Sequence, residues 1–125
     1  MAIHINTIKA TGIDLTPAID SYVRERVTSL EKYVDKSDTS ASISVEVGKV
    51  TEHHHAGEIF RAEMNLIIGG IQFRATADHE DLYAAIDKVR EEASRMISEH
   101  KKKQKQLFKK GAAEVKRWLT GESQK

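Results

Sequence analysis

Apolar and polar residues alternate at the start of the chain. Across residues 2–9, Ile3 and Ile5 take one face and His4 and Asn6 the other, the period-two pattern of a half-buried strand. The turn ATGIDLTP then prepares a helix, with Thr16 as N-cap and Pro17 in the first helical position, where its missing amide proton costs nothing. Ile19, Val23, Val27, Leu30 and Val34 form the inward stripe of that helix, which is expected to end near Asp35, with Tyr22, Arg26 and Tyr33 along one edge. A polar connection, SDTSAS, leads to a second strand in which Ile43, Val45 and Val47 alternate with Ser44 and Glu46. KVTEHHHAGE reads as a loop. A third strand carries Phe60, Ala62, Met64, Leu66 and Ile68 on one face and Arg61, Glu63 and Asn65 on the other. Gly69 and Gly70 supply a two-residue hairpin turn, and Ile71, Phe73, Ala75 and Ala77 give the fourth strand.

A longer element occupies residues 78–110. Leu82, Ile86, Val89, Ala93, Met96, Ile97 and His100 recur at three- and four-residue steps, so they line one face of a helix, with Asp78 expected as its cap. After His100 come six lysines, Lys101, Lys102, Lys103, Lys105, Lys109 and Lys110, with no proline or glycine among them. A helix reaching Lys110 would be roughly 45–50 Å long, more than the body needs, so it is expected to project. Gly111 is a predicted stop or hinge. Residues 112–119 would then form a short amphipathic helix, too short to be stable alone, with Val115, Trp118 and Leu119 on one side.

The order is β-α-β-β-β-α. Each strand has one apolar face and each helix one apolar stripe, so the economical packing is α+β. It is a two-layer sandwich, with two parallel helices side by side on one face of a four-stranded sheet and the other face polar and open. The first two strands are joined by a crossover and can be parallel, whereas the later ones are joined by hairpins and run antiparallel. The division is a domain at 1–100 and a basic, helical C-terminal extension at 101–125.

Charge sharpens that division. The net charge of +1 hides an asymmetry: residues 1–99 hold 11 Lys plus Arg against 17 Asp plus Glu, net −6, and residues 100–125 hold 9 against 2, net +7. A basic tail on an acidic body points to a polyanionic partner, because lysines that neutralise phosphates release counterions. The plainer alternative is a solubilising tail. The chain contains no cysteine, which excludes disulfides and thiolate chemistry. No segment is apolar enough to span a bilayer and the N-terminus lacks a signal-peptide pattern, so the expected location is cytoplasmic.

Catalytic motifs are absent from the sequence. It has no nucleophile elbow, phosphate loop or HExxH, its acidic pairs Glu80–Asp81 and Glu91–Glu92 read as helix capping and surface charge, and it is read as a non-enzyme without cofactors. His53, His54 and His55 diverge in an extended loop, so no metal site is assigned to them. Arg26 can lay its stem on apolar surface and raise its guanidinium to solvent, either to bind phosphate or to cover the helix seam and stack on tyrosine.

The LTPAI opening of the first helix, its RVTSLEKY ending and the segment DHEDLYAAID together resemble the ribosome hibernation-promoting factors, the ribosome-associated inhibitor family, over residues 1 to about 105. The fold this implies is also similar to double-stranded RNA-binding domains. The resemblance implies a translation inhibitor that occupies the mRNA and tRNA channel of the small ribosomal subunit and stabilises hibernating ribosomes in stationary phase or stress. The implied partners are that subunit and its rRNA. The tail lies beyond the resemblance: its 112–119 segment is read either as docking on a ribosomal protein or on RNA, with Trp118 as anchor, or as folded back onto the body. Neither a membrane nor a small-molecule substrate is implied. The family's basic positions fall on Arg26, Ser29 and Lys32 in the first helix and on Glu92, Arg95 and Glu99 in the second, where two are acidic. Lys88, Glu92, Arg95, Glu99 and Lys102 share one face, which favours a ladder of opposite charges over a positive stripe. The expected RNA-binding set is therefore Arg26, Lys32, Lys88 and Arg95 on the body and Lys101, Lys102, Lys103, Lys105, Lys109 and Lys110 on the arm. The rival readings are a general RNA-binding module and a membrane-surface adaptor acting through LFKKGAAEVKRWL.

Overall fold

The computed structural model describes residues 2–50 and 57–120; the histidine run at 53–55 lies outside them. Four strands form one sheet: β1 (His4–Thr11), β2 (Ser42–Val50), β3 (Ile59–Ile68) and β4 (Ile71–His79), in the spatial order β1-β2-β3-β4. β1 and β2 are parallel, and the other pairs are antiparallel. Helix α1 (Pro17–Thr28) makes the crossover, a 3-10 turn follows at Glu31–Tyr33, and helix α2 (Leu82–Thr120) follows β4.

The expected architecture is present, and the alternation of each strand explains it. Ile43, Val45, Val47, Ala62, Met64, Leu66, Phe73, Ala75 and Ala77 are buried under the helices. The residues between them face outward, where Arg74 pairs with Glu63 at 2.6 Å and Thr11 donates to Glu46 at 2.7 Å. β1 keeps its inward face through a register shift between Ile5 and Thr7, so that Ile8 and Ala10, rather than Thr7 and Lys9, continue beneath the helix layer. Gly69 and Gly70 both have positive φ, as a tight hairpin turn requires.

Helix α1 starts as its sequence dictates: the Thr16 hydroxyl accepts the Ile19 amide proton, with Pro17 following. It ends earlier than expected, at Thr28 instead of near Asp35. The Ser29 carbonyl accepts a hydrogen bond from Arg90 Nη2 at 3.2 Å, and Tyr33 N–H turns to the Leu30 carbonyl, so the chain tightens into the 3-10 turn. Leu30 and Val34 stay buried.

Two further expectations are corrected. Asp78 does not cap α2. It belongs to β4, where its register partner is Arg61, and the two side chains form a bidentate pair at 2.7 and 3.0 Å. Asp81 caps the helix instead, its carboxylate accepting from Tyr83 N–H and its carbonyl from Ala85 N–H. Gly111 is neither stop nor separator: α2 passes through it without a break, and residues 112–119 are its last turns. A single glycine costs only about 1 kcal/mol in a helix, and the neighbouring lysines and alanines favour helix.

Helix α2 therefore has 39 residues and is about 58 Å long. Leu82, Ala85, Ile86, Val89, Ala93 and Ile97 are buried on the sheet. From Lys101 to Leu119 every residue is exposed. The same helix is core for half its length and a free arm for the rest, roughly 28 Å beyond the body.

Candidate nucleic-acid interface

The groups expected to contact RNA lie on three surfaces. At the seam between α1 and α2, Arg26 is already engaged: its guanidinium lies over the Tyr22 ring, 4.7 Å from the centroid, and its Nε is 3.2 Å from Asp87 Oδ1. Tyr22 donates its hydroxyl to the same Asp87 oxygen at 2.6 Å and meets Tyr83 edge to face. The hydrogen bond to the Asp87 carboxylate holds the Tyr22 phenol above its ordinary pKa. Burial disfavours the Arg26 cation, but Tyr22 and Asp87 outweigh it and its pKa is raised. Of the two sequence readings of Arg26, its contacts display the one in which it covers the seam and stacks on tyrosine.

On the outer face of α2, Arg95 is held between Glu92, through a short hydrogen-bonded pair, and Glu99, at 2.9 Å. The two glutamates raise the Arg95 pKa, Glu92 most. This is the middle of the ladder expected from the spacing, without its two lysine ends, and it neutralises the position. Lys88 turns the other way, with Nζ 3.5 Å from the Asp78 carbonyl. Lys32 sits over Tyr33, 5.3 Å from the ring centroid, and Lys101 donates to the Tyr33 carbonyl, which brings these two cations to the same end of the molecule.

The arm is different. Lys102, Lys105, Lys109 and Lys116 fall within a sector of about 60° on a helical wheel. They lie on the side of α2 that, nearer its start, turns Asp87 toward Arg26. All four are exposed. Lys103 and Lys110 lie farther round the same helix and are also exposed. Trp118, 72% exposed, is not folded back onto the body.

Sequence reasoning missed Arg90, the residue that joins the two helices. Its side chain is only 14% exposed, and it donates to Ser29 Oγ at 2.8 Å as well as to the Ser29 carbonyl. The signal that could have found it was its place on the wheel, beside Ile86 and Ala93 instead of opposite them. Ser29, where the resembled family has a basic residue, is in this chain the acceptor for an arginine from the other helix. The described residues contain no cluster of His, Cys, Asp or Glu able to hold a metal, and no helix long and apolar enough to cross a membrane.

Known proteins share this architecture. The family model for Sigma 54 modulation protein / S30EA ribosomal protein matches residues 7–105. Among curated relatives, the ribosome hibernation promoting factor of Azotobacter vinelandii is 34% identical over 97 residues, covering 78% of this chain and 82% of the relative. That of Pseudomonas putida is 31% identical over 106 residues, 85% of this chain and 95% of the relative. Among solved structures, the N-terminal domain of Thermus thermophilus Protein Y superposes with a TM-score of 0.64 at 24% identity, covering 78% of this chain and 98% of that one. A ribosomal subunit interface protein from Coxiella burnetii gives a TM-score of 0.62 at 16% identity, covering 78% and 97%. The match over residues 7–105 takes in the sandwich from within β1 onward and the root of the arm, and the chain belongs to the Sigma 54 modulation protein / S30EA ribosomal protein family.

Proposed function

We propose that the protein inhibits translation by binding the small ribosomal subunit in its mRNA and tRNA channel, holding the ribosome in a hibernating state, and that it acts as a binder and not as an enzyme. Membership of a family whose curated relatives are named ribosome hibernation promoting factors supports the class of partner. The observation that carries the mode of binding is the distribution of paired and exposed charge. Arg26 and Arg95 are matched by acids on the body, while Lys102, Lys103, Lys105, Lys109 and Lys110 stand exposed on one continuous helix. In this reading residues 1–100 are the positioning domain, with Arg26, Lys32, Lys88 and Arg95 setting the docking angle. Residues 101–125 are the extension, whose lysines, Lys101 included, follow the RNA backbone.

The test is cosedimentation with purified small subunits across a salt series. Replacing the six lysines between 101 and 110 with glutamine should weaken binding and flatten the plot of log affinity against log salt, by roughly 0.7–0.9 for each phosphate no longer neutralised. Messenger RNA and tRNA should each displace the wild-type protein. Unchanged binding by the glutamine variant would remove the arm from the binding surface, and failure of both competitors would remove the channel.

A further inference from the structure

The arm has a second face that phosphate binding leaves unexplained. Leu107, Phe108, Ala112, Val115, Trp118 and Leu119 occupy a sector of about 140° opposite the lysines. Leu107, Phe108 and Trp118 are 63%, 78% and 72% exposed. The sector also keeps the angular position of Ile86, Ala93 and Ile97, so the stripe that packs on the sheet continues past the sheet's end with nothing beneath it among the described residues. We propose that this face is covered by a second copy of the chain, the two arms packing antiparallel, and that the protein forms a two-fold dimer through α2.

Three observations favour a second copy over another occupant. First, the stripe is complementary to itself in size. It has a bulky pair, Leu107 and Phe108, and a small pair, Gly111 and Ala112, three to five residues apart. In an antiparallel register Phe108 of each copy meets Gly111 of the other, and Leu107 and Ala112 come level at the two edges of the stripe. A side chain built on Gly111 would meet nothing, so the notch is open to receive one. The same register sets Val115 opposite Gln104, both near the middle of the face.

Second, the arm has the length that this register needs. Trp118 and Leu119 arrive level with Lys101 and His100 of the second copy, where α2 leaves the body. At that point a cleft of about 510 Å³, floored by Phe73, Met96 and His100, opens beneath the helix. Ile71, 40% exposed, edges the adjoining cleft. Two aromatic side chains, each able to bury about 150–250 Å², with three aliphatic ones and the cleft, bring each copy near the ~800 Å² that a stable interface uses.

Third, the charges fit. Glu114 lies on the same flank of the stripe as Lys103 and comes within two residues, about 3 Å along the helix axis, of the level of that residue in the second copy. On the other flank Lys116 approaches Asp35 and Asp38, which border the cleft at the body. The basic tip of one copy thus meets the acidic body of the other, and the lysine faces of both arms point outward. The dimer goes beyond the proposed function and stands without it.

Sedimentation equilibrium on the full chain tests the proposal. A dimer of twice 14.0 kDa is expected at micromolar concentrations, with the emission of Trp118, the only tryptophan, shifting to the blue as it forms. Phe108→Ser with Trp118→Ser should give a monomer. Gly111→Leu should also give a monomer while keeping or raising helicity by circular dichroism, because it fills the notch without harming the helix. The absence of native cysteine permits a register test: Gln104→Cys mixed with Val115→Cys should form a disulfide between copies, and Gln104→Cys alone should not. A chain that stays monomeric overturns the proposal, as does a disulfide from Gln104→Cys alone. A monomer whose Trp118 emission shifts on vesicles of anionic phospholipid, and shifts more with Gly111→Leu, would assign the face to a lipid surface instead.

Discussion

Gly48 sits where β2 passes the backbone of β1, and a Cβ added there would fall well inside contact distance of the Thr11 carbonyl oxygen. Because the obstacle is backbone in a paired strand, it cannot turn aside as a side chain would. Gly48→Ala should destabilise the fold by about 1–3 kcal/mol, read from the urea midpoint. Asp38 works through hydrogen bonds: its carboxylate accepts from the Gly69 amide at 2.7 Å and from Ser40, tying the connection before β2 to the hairpin between β3 and β4. The Gly69 amide, with Ser40, lowers the Asp38 pKa. A depressed carboxylate contributes stability that is present above its unfolded pKa of about 3.9 and lost as pH falls through the folded value. Asp38→Asn should therefore lower the urea midpoint at neutral pH, and the gap to wild type should close in acid. At Asp87 the consequence is functional. Asp87→Asn removes the carboxylate that holds Arg26, which should leave the guanidinium open to phosphate. The expected result is tighter subunit binding and a salt slope steeper by roughly 0.7–0.9. No change in either would mean that Arg26 does not face RNA.

At the scale of the element, α2 shows how one helix does two kinds of work. Its first half is held by burial, and truncating one of its fully buried residues, Ile86→Ala, should cost about 2–5 kcal/mol of global stability. Its second half has no such support and depends on its own propensity. Gly111→Ala should accordingly raise the protection of amides in the arm from hydrogen exchange, by up to about 1 kcal/mol, and leave the body unchanged. Reading this helix from sequence worked where the period was strong, from Leu82 to Ile97. It failed at the two ends. Asp78 has the chemistry of a cap, but pairing with β3 extends the strand over it, and Gly111 has the chemistry of a stop, but nothing nearby supplies the left-handed turn that would use it.

For the whole molecule, the division of charge decides which surface can meet a polyanion. The outward cations of the body are largely answered by carboxylates, Arg24 by Asp20 at 2.8 Å, Arg26 by Asp87 and Arg95 by Glu92 and Glu99. Exposed pairs of this kind contribute little to stability, but they leave little net positive charge where the resembled family has basic residues. The six-lysine variant and Asp87→Asn therefore act in opposite directions on the same salt plot, and measuring both separates the arm from the body.

What the sequence determined by itself was the order of elements, the inward face of each strand and helix, the position of the hairpin and the asymmetry of charge. These follow from local rules: a period of two or of 3.6, glycine at positive φ, a capping hydroxyl before a proline. The tertiary structure decided the rest, because it depended on which distant residue stood nearby. Arg90 takes the Ser29 carbonyl and shortens α1, and Arg61 draws Asp78 into the sheet. Asp87 reaches Arg26 across the seam, and the end of the sheet, not any residue of α2, determines where a buried stripe becomes an exposed one. The stripe is written into the sequence as far as Leu119, but only the fold leaves its second half uncovered.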